Sequence, residues 1–95
     1  MARRRYLIAY DIADPQRLRR ICTVMEDHGV RLQYSVFVCD LSLAERAELE
    51  SNVTEIMNLA ADSVVQIDLG PTASPAAIRT LGRPRTLPGA GPQIV

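Results

Sequence analysis

The stretch Val30–Leu41, VRLQYSVFVCDL, alternates between two sets of side chains. One set is Val30, Leu32, Tyr34, Val36 and Val38, and the other is Arg31, Gln33, Ser35, Phe37 and Cys39. This period of two predicts β structure, with one face under helices and the other exposed or in contact with a partner. Because Phe37 shares its set with polar residues, we expect that set to form the open face, for dimer or nucleic-acid contact. No glycine or proline interrupts the stretch, so the residues alone fit one long strand or two short ones equally well.

The segment before this stretch reads as a strand followed by a helix. Arg5–Ile12 is rich in the aromatic and branched residues that are typical of strands. Asp14 and Pro15 then form a helix start, because Asp caps free amides and Pro fits the first helical position. Gly29 is expected to end this helix.

The segment after it reads as a helix followed by a strand. The helix begins at Ser42–Glu45, which has the S-x-x-E pattern of a capping box. Its predicted core side consists of Leu49, Val53, Ile56, Met57 and Ala60. In the strand Ser63–Leu69, the residues predicted to point inward are Val65, Ile67 and Leu69, and those predicted to point outward are Val64, Gln66 and Asp68.

Residues 76–81 fit a short edge strand. Two helices on one face of an antiparallel sheet give an α+β sandwich.

Composition and charge restrict the class of protein. The 95 residues suffice for one domain, and a content of 47% hydrophobic and 23% charged residues is ordinary for a globular protein. No apolar run is long enough to span a membrane, and no secretory signal pattern is present. Cys22 and Cys39 lack metal-ligand spacing, so we expect a cytoplasmic protein with free thiols. The net charge is zero, but residues 1–35 carry more arginines than acids.

Asp11 is the first candidate functional residue, because it places a carboxylate between Tyr10 and Ile12 at the end of an apolar strand. A buried carboxylate without a partner costs several kcal/mol. We therefore expect Asp11 to lie at the strand end, where it either caps the turn before the first helix or binds a cation. Four arginines fit phosphate contacts without base specificity, namely Arg17, Arg19, Arg20 and Arg31.

Four segments, YLIAYDI, RLRR, GVRLQYSVFVCDLS and DSVVQIDLG, together resemble the Cas-two family of CRISPR-associated adaptation proteins and endoribonucleases. The resemblance covers roughly residues 5–82. It implies a ferredoxin-like βαββαβ sandwich that forms a homodimer through its sheet, with an extra C-terminal strand exchanged between protomers. It favours two strands within Val30–Leu41. It also divides the chain into a domain, residues 1–82, and a C-terminal loop and strand or partner-docking tail, residues 83–95.

The resemblance also implies a site and a function. Asp11 would bind Mg²⁺ at the dimer two-fold, with support from Tyr10, Arg31 and Phe37. The dimer would bind DNA, and in some members single-stranded RNA, as a scaffold between dimers of the CRISPR integrase (Cas-one) during spacer acquisition. A magnesium-dependent endonuclease activity on single-stranded RNA or on DNA would accompany this role. A stand-alone toxin ribonuclease of the VapD type, which shares the fold, is the alternative.

Overall fold

The computed structural model describes residues 2–83, which form a four-stranded sheet and two helices in the order βαββαβ. The elements are β1 (Arg4–Asp11), α1 (Pro15–His28), β2 (Val30–Gln33), β3 (Val36–Leu41), α2 (Leu43–Ile56) and β4 (Ser63–Pro71). The strands lie in the order β2-β3-β1-β4, and all neighbours are antiparallel. The predicted ferredoxin-like α+β sandwich is confirmed. Dimer exchange stays a prediction, and apart from Arg83 the predicted tail, residues 83–95, lies outside the described residues.

Val30–Leu41 contains two strands, joined by a turn at Tyr34 and Ser35. The pairing of β2 with β3 shifts register between Arg31 and Gln33, which lets the chain reverse without glycine. No residue of this turn has a positive φ. The backbone N–H of Tyr10 donates to the carbonyl of Ser35 at 3.1 Å, so the turn is attached to the end of β1.

Both helices begin where their capping residues predict. The Asp14 carboxylate accepts from the Arg17 amide at 3.0 Å, and Ser42 and Glu45 form a reciprocal capping box. Helix α1 ends at His28, and the next residue, Gly29, is extended. Only glycine fits there without a clash, because a Cβ at this position would lie 2.5 Å from the Val38 carbonyl oxygen.

Helix α2 ends at Ile56, one residue before Met57. The predicted core residue Ala60 is therefore in the following loop and is exposed, so that prediction was wrong.

The core lies between the helices and one face of the sheet, and the predicted faces of β3 were wrong. Phe37 and Cys39 are fully buried under the helices, because β3 pairs them with Ile8 and Tyr6 of β1. Val38 lies on the opposite, helix-free face with Leu7, its partner on β1. Within β3 the alternation separated the two faces correctly but did not indicate which one the helices cover. In β2 the register shift places Gln33 opposite Val36, so Gln33 does not share the face of Phe37 as predicted.

The faces of β4 are also the reverse of the prediction. Gln66 lies on the helix side, where it bonds with Arg46 and Glu50 of α2. Val65 and Ile67 lie on the helix-free face and are 51% and 47% exposed.

Residues 76–81 form no strand in the single chain, contrary to expectation. Instead, part of this segment lies across the helix-free face and encloses a cleft of about 580 Å³ with Leu7, Leu32, Val36 and Leu69.

No helix among residues 2–83 has both the length and the apolar character needed to cross a membrane.

Candidate functional site

Asp11 is the last residue of β1, and its side chain is exposed. In the antiparallel pairing of β1 with β4, Asp11 lies opposite Ser63. The turn at Tyr34 and Ser35 lies at the same end of the sheet. Within residues 2–83 its carboxylate has no hydrogen bond or ion pair. The capping role belongs to Asp14 instead. Asp11 is therefore a free carboxylate at the end of a rigid, central strand.

The acids around Asp11 do not form a metal site within one chain. Among residues 2–83 no group of three or more His, Cys, Asp or Glu side chains could hold a metal ion. Asp14 caps α1, and Asp40 binds Arg5 at 2.8 and 3.1 Å, near the opposite end of β1. Mg²⁺ requires octahedral oxygen ligands. Because Mg²⁺ keeps several waters, one carboxylate such as Asp11 is a weak site alone, and oxygens from another copy or from a phosphate would strengthen it.

Tyr10 and Phe37, predicted to support Asp11, pack in the core beside it. Tyr10 is 6% exposed, and its ring stacks on that of Phe37 with centroids 6.2 Å apart. Burial and the neighbouring Cys22 raise the pKa of Tyr10 to about 12, so its hydroxyl stays protonated at neutral pH and cannot serve as a base. These rings fix the end of β1, and the Phe37 ring is too deeply buried to contact a substrate.

Arg31 lies between the core and the surface at the same end of the sheet. Its guanidinium carbon lies 5.2 Å from the Phe37 ring centroid and 5.9 Å from that of Tyr34. Its Nη1 donates to the Tyr34 carbonyl at 3.1 Å and its Nη2 to the Cys22 thiol at 2.5 Å. Arg31 is thus held in one orientation, with a third of its side chain exposed.

The Arg17 guanidinium forms an ion pair within the chain, so fewer of its N–H groups are available to a phosphate than the sequence predicted. Its Nε and Nη2 donate to Asp62 at 2.8 and 3.1 Å. Asp62, whose side chain is fully buried, also accepts from the amides of Ala13 and Asn58, both at 2.8 Å. The Arg17 guanidinium, followed by these amides, holds the pKa of Asp62 well below its usual range.

Asp62 is a residue that the sequence analysis missed. By binding Ala13 and Arg17 it fixes the loop that follows Asp11. Near Asp62 in the sequence, the only sign of its role is that a carboxylate directly precedes a strand. Its partner Arg17 lies 45 positions away along the chain, so the sequence does not indicate the pair.

Arg19 and Arg20 are exposed on α1 and have no ion pair among the described residues. They are the arginines of the predicted set that remain available to a phosphate backbone. Arg19 also borders a cleft of about 120 Å³ with Tyr10, Leu18, Cys22, Arg31 and Tyr34.

Comparison with known proteins agrees with the resemblance seen in the sequence. Residues 4–74 match the family described as CRISPR associated protein Cas2. The chain is 37% identical over 79 residues to the CRISPR-associated endoribonuclease Cas2 1 of Rhodospirillum rubrum, covering 82% of this chain and 78% of that protein. This family match favours the CRISPR interpretation over the toxin alternative.

Two solved structures have the same fold. A hypothetical protein of Thermus thermophilus superposes with a TM-score of 0.77 at 27% identity, over 90% of this chain and 98% of that one. Streptococcus pyogenes Cas2 superposes with a TM-score of 0.63 at 31% identity, over 66% of this chain and 82% of that one.

Proposed function

The chain belongs to the CRISPR associated protein Cas2 family, and from this premise we propose that it is a homodimeric nucleic-acid-binding protein of CRISPR spacer acquisition with a magnesium-dependent endonuclease activity. The observation that carries the proposal is the carboxylate of Asp11, which is exposed at the end of β1 and has no partner within residues 2–83. The name of the Rhodospirillum rubrum relative supports the nuclease part.

The proposed dimer forms through the helix-free face of the sheet. On this face the apolar residues Val65 and Ile67 of the edge strand β4 are about half exposed. Burying such apolar surface is favourable by about 25 cal/mol per Å². A symmetric contact repeats every residue on both sides of the two-fold axis, so one Asp11 becomes two carboxylates.

Asp11 of both copies would hold the metal, which, when bound, supplies Lewis-acid polarisation of the phosphodiester and a more acidic water. The residues of the chain itself contribute position and charge. The Asp62 and Arg17 pair fixes the loop after Asp11, and Arg31 adds a fixed positive charge at the same end of the sheet. Arg19 and Arg20 attract the phosphate backbone without reading its sequence.

A scaffolding role between integrase dimers is the second part of the proposal. It is supported by family membership and by the exposed arginines of α1, which suit a duplex backbone. This role requires no hydrolysis by the chain and is compatible with a slow nuclease.

Cleavage of end-labelled single-stranded RNA and duplex DNA, with Mg²⁺ or with chelator, tests the nuclease activity. We expect Asp11→Asn to lower the rate about a hundred-fold or more, because a catalytic metal supplies several kcal/mol of transition-state stabilisation. The matched control is Asp27→Asn, which removes an exposed carboxylate from α1. Equal cleavage by wild type and Asp11→Asn would contradict a nuclease site at Asp11, and no cleavage by wild type would leave only the scaffold role.

A further inference from the structure

Tyr34 is the exposed aromatic residue of the described chain. Tyr6, Tyr10 and Phe37 are 3%, 6% and 0% exposed, whereas Tyr34 is 73% exposed. It lies in the turn between β2 and β3, at the end of the sheet that carries Asp11. A turn accepts polar residues readily, so nothing in the folding of the hairpin requires an aromatic ring here.

The backbone that carries the Tyr34 ring is attached to its neighbours, and a guanidinium lies beside the ring. The Arg31 guanidinium lies 5.9 Å from its centroid and also donates to the Tyr34 carbonyl. Arg31 is itself fixed by Cys22 and by the Phe37 ring. The next residue, Ser35, accepts from the Tyr10 amide. Because the turn that carries Tyr34 is already ordered by these contacts, little backbone entropy is lost when a ligand stacks on the ring.

A small cleft opens beside the Tyr34 ring. It measures about 120 Å³, below the roughly 300–1,000 Å³ of pockets for drug-sized ligands. Its walls combine apolar surface from Tyr10, Leu18 and Cys22 with the guanidinium groups of Arg19 and Arg31. Glu26 lies 3.8 Å from Arg31 and offsets part of its charge, so the available positive charge is that of Arg19. This combination suits a flat apolar ring joined to an anionic group.

We propose that the Tyr34 ring and this cleft bind one unpaired nucleobase of a single-stranded nucleic acid, with Arg19 on the adjoining phosphate. The inference rests on the proposed nucleic-acid function and deepens it, by assigning a base-stacking position to the turn at this end of the sheet. Aromatic side chains stack on bases of any sequence, because every base has a π face. A duplex hides its base faces in the stack and cannot occupy the site in this way.

The test is metal-free binding, measured by fluorescence anisotropy in chelator, of a labelled single strand, a duplex of the same length and an abasic strand. We expect Tyr34→Ala to weaken single-strand binding about 5- to 150-fold, the range for loss of one stacked base. Tyr34→Phe should bind like wild type, and duplex binding should be the same in all variants. Wild type and Tyr34→Ala should bind the abasic strand with the same affinity, because that strand has no base to stack on Tyr34. Leu59→Ala is the control, since it removes a side chain that is 74% exposed elsewhere.

Three outcomes would overturn the proposal: single-strand binding by Tyr34→Ala at the wild-type level, an equal loss on duplex and single strand, or equal binding of intact and abasic strands by wild type. An equal loss on duplex and single strand would identify Tyr34 as a contact to the nucleic-acid backbone, and equal binding of intact and abasic strands would show that no base is bound. Because no metal is present, the result is independent of cleavage. An inactive nuclease leaves the binding test intact, and normal binding by Tyr34→Ala leaves the nuclease proposal intact.

Discussion

Asp11 and Asp62 lie at neighbouring strand ends, yet their surroundings assign them opposite tasks. Asp62 is buried and accepts four hydrogen bonds, two from Arg17 and one each from Ala13 and Asn58. Asp11 is exposed and has no partner within residues 2–83. A carboxylate with four donors has little capacity for a metal, whereas a free one keeps all its lone pairs. The chain thus uses Asp62 for structure, whereas under the proposed function the free Asp11 carboxylate is the metal ligand.

The buried Asp62 carboxylate predicts a specific response to acid. Its pKa is lower in the folded than in the unfolded chain, so its stabilisation is complete above the unfolded value of about 3.9 and is lost as the pH falls toward the folded pKa. Asp62→Asn lacks this contribution at every pH. We therefore expect the difference in melting temperature between wild type and Asp62→Asn to be large near neutral pH and to narrow below about pH 4.

Thermal unfolding followed by circular dichroism over this pH range checks the prediction. Asp27→Asn, which removes an exposed carboxylate, should melt like wild type throughout. A difference between wild type and Asp62→Asn that stayed constant down to the lowest pH would mean that the carboxylate is not held in its charged form.

At the scale of elements, the parts predicted correctly are those with local signals. Asp14 with Pro15, and Ser42 with Glu45, mark both helix starts, because a cap and its amides lie within one turn. The turn at Tyr34 and Ser35 has no such signal, since a register shift replaces the glycine that a tight hairpin commonly uses. The resemblance, rather than the residues, favoured two strands here.

The buried face of each strand depends on partners far away in the sequence. Phe37 is buried because β3 pairs it with Ile8, and Gln66 lies on the helix side because β4 pairs it with that same residue. Apolar residues occupy both faces of this sheet, so alternation alone cannot identify the helix side. For the site, the sequence predicted Asp11 at a strand end, but the internal pairing of Arg17 with Asp62 arises only in three dimensions.

The capping box of α2 gives a prediction at this scale. The Ser42 hydroxyl accepts from the Glu45 amide at 3.2 Å, and the Glu45 carboxylate accepts from the Ser42 amide at 2.8 Å. We expect Ser42→Ala to lower the free energy of unfolding by about 0.5–2 kcal/mol. Urea denaturation measures this loss. Ser51→Ala, at an exposed position within α2, should be neutral or slightly stabilising, and an equal loss in both variants would show that the cap contributes nothing.

At the scale of the whole molecule, one face of the sheet lacks a helix layer. The extents of the molecule are 36 × 34 × 18 Å, and the short dimension accommodates one sheet and one layer of helices. Val65 and Ile67 remain about half exposed on the other face. A contiguous apolar patch on the open face of a sheet is typical of an interaction site. Under the proposed function a second copy binds this face, and through that contact two Asp11 carboxylates would share one metal.

The most direct test of the shared metal site is the number of Mn²⁺ ions bound per chain, measured by electron paramagnetic resonance. Mn²⁺ is a spectroscopic substitute for Mg²⁺. Sedimentation of the same samples gives the oligomeric state. The proposed function predicts a dimer that binds one Mn²⁺ per two chains. Asp11→Asn should still form the dimer but should not bind the metal. Ile67→Glu should neither dimerise nor bind the metal. Leu43→Glu, at an exposed position of α2, should dimerise and bind the metal like wild type. One Mn²⁺ per chain, or undiminished binding by Asp11→Asn, would contradict a metal shared between two copies of Asp11.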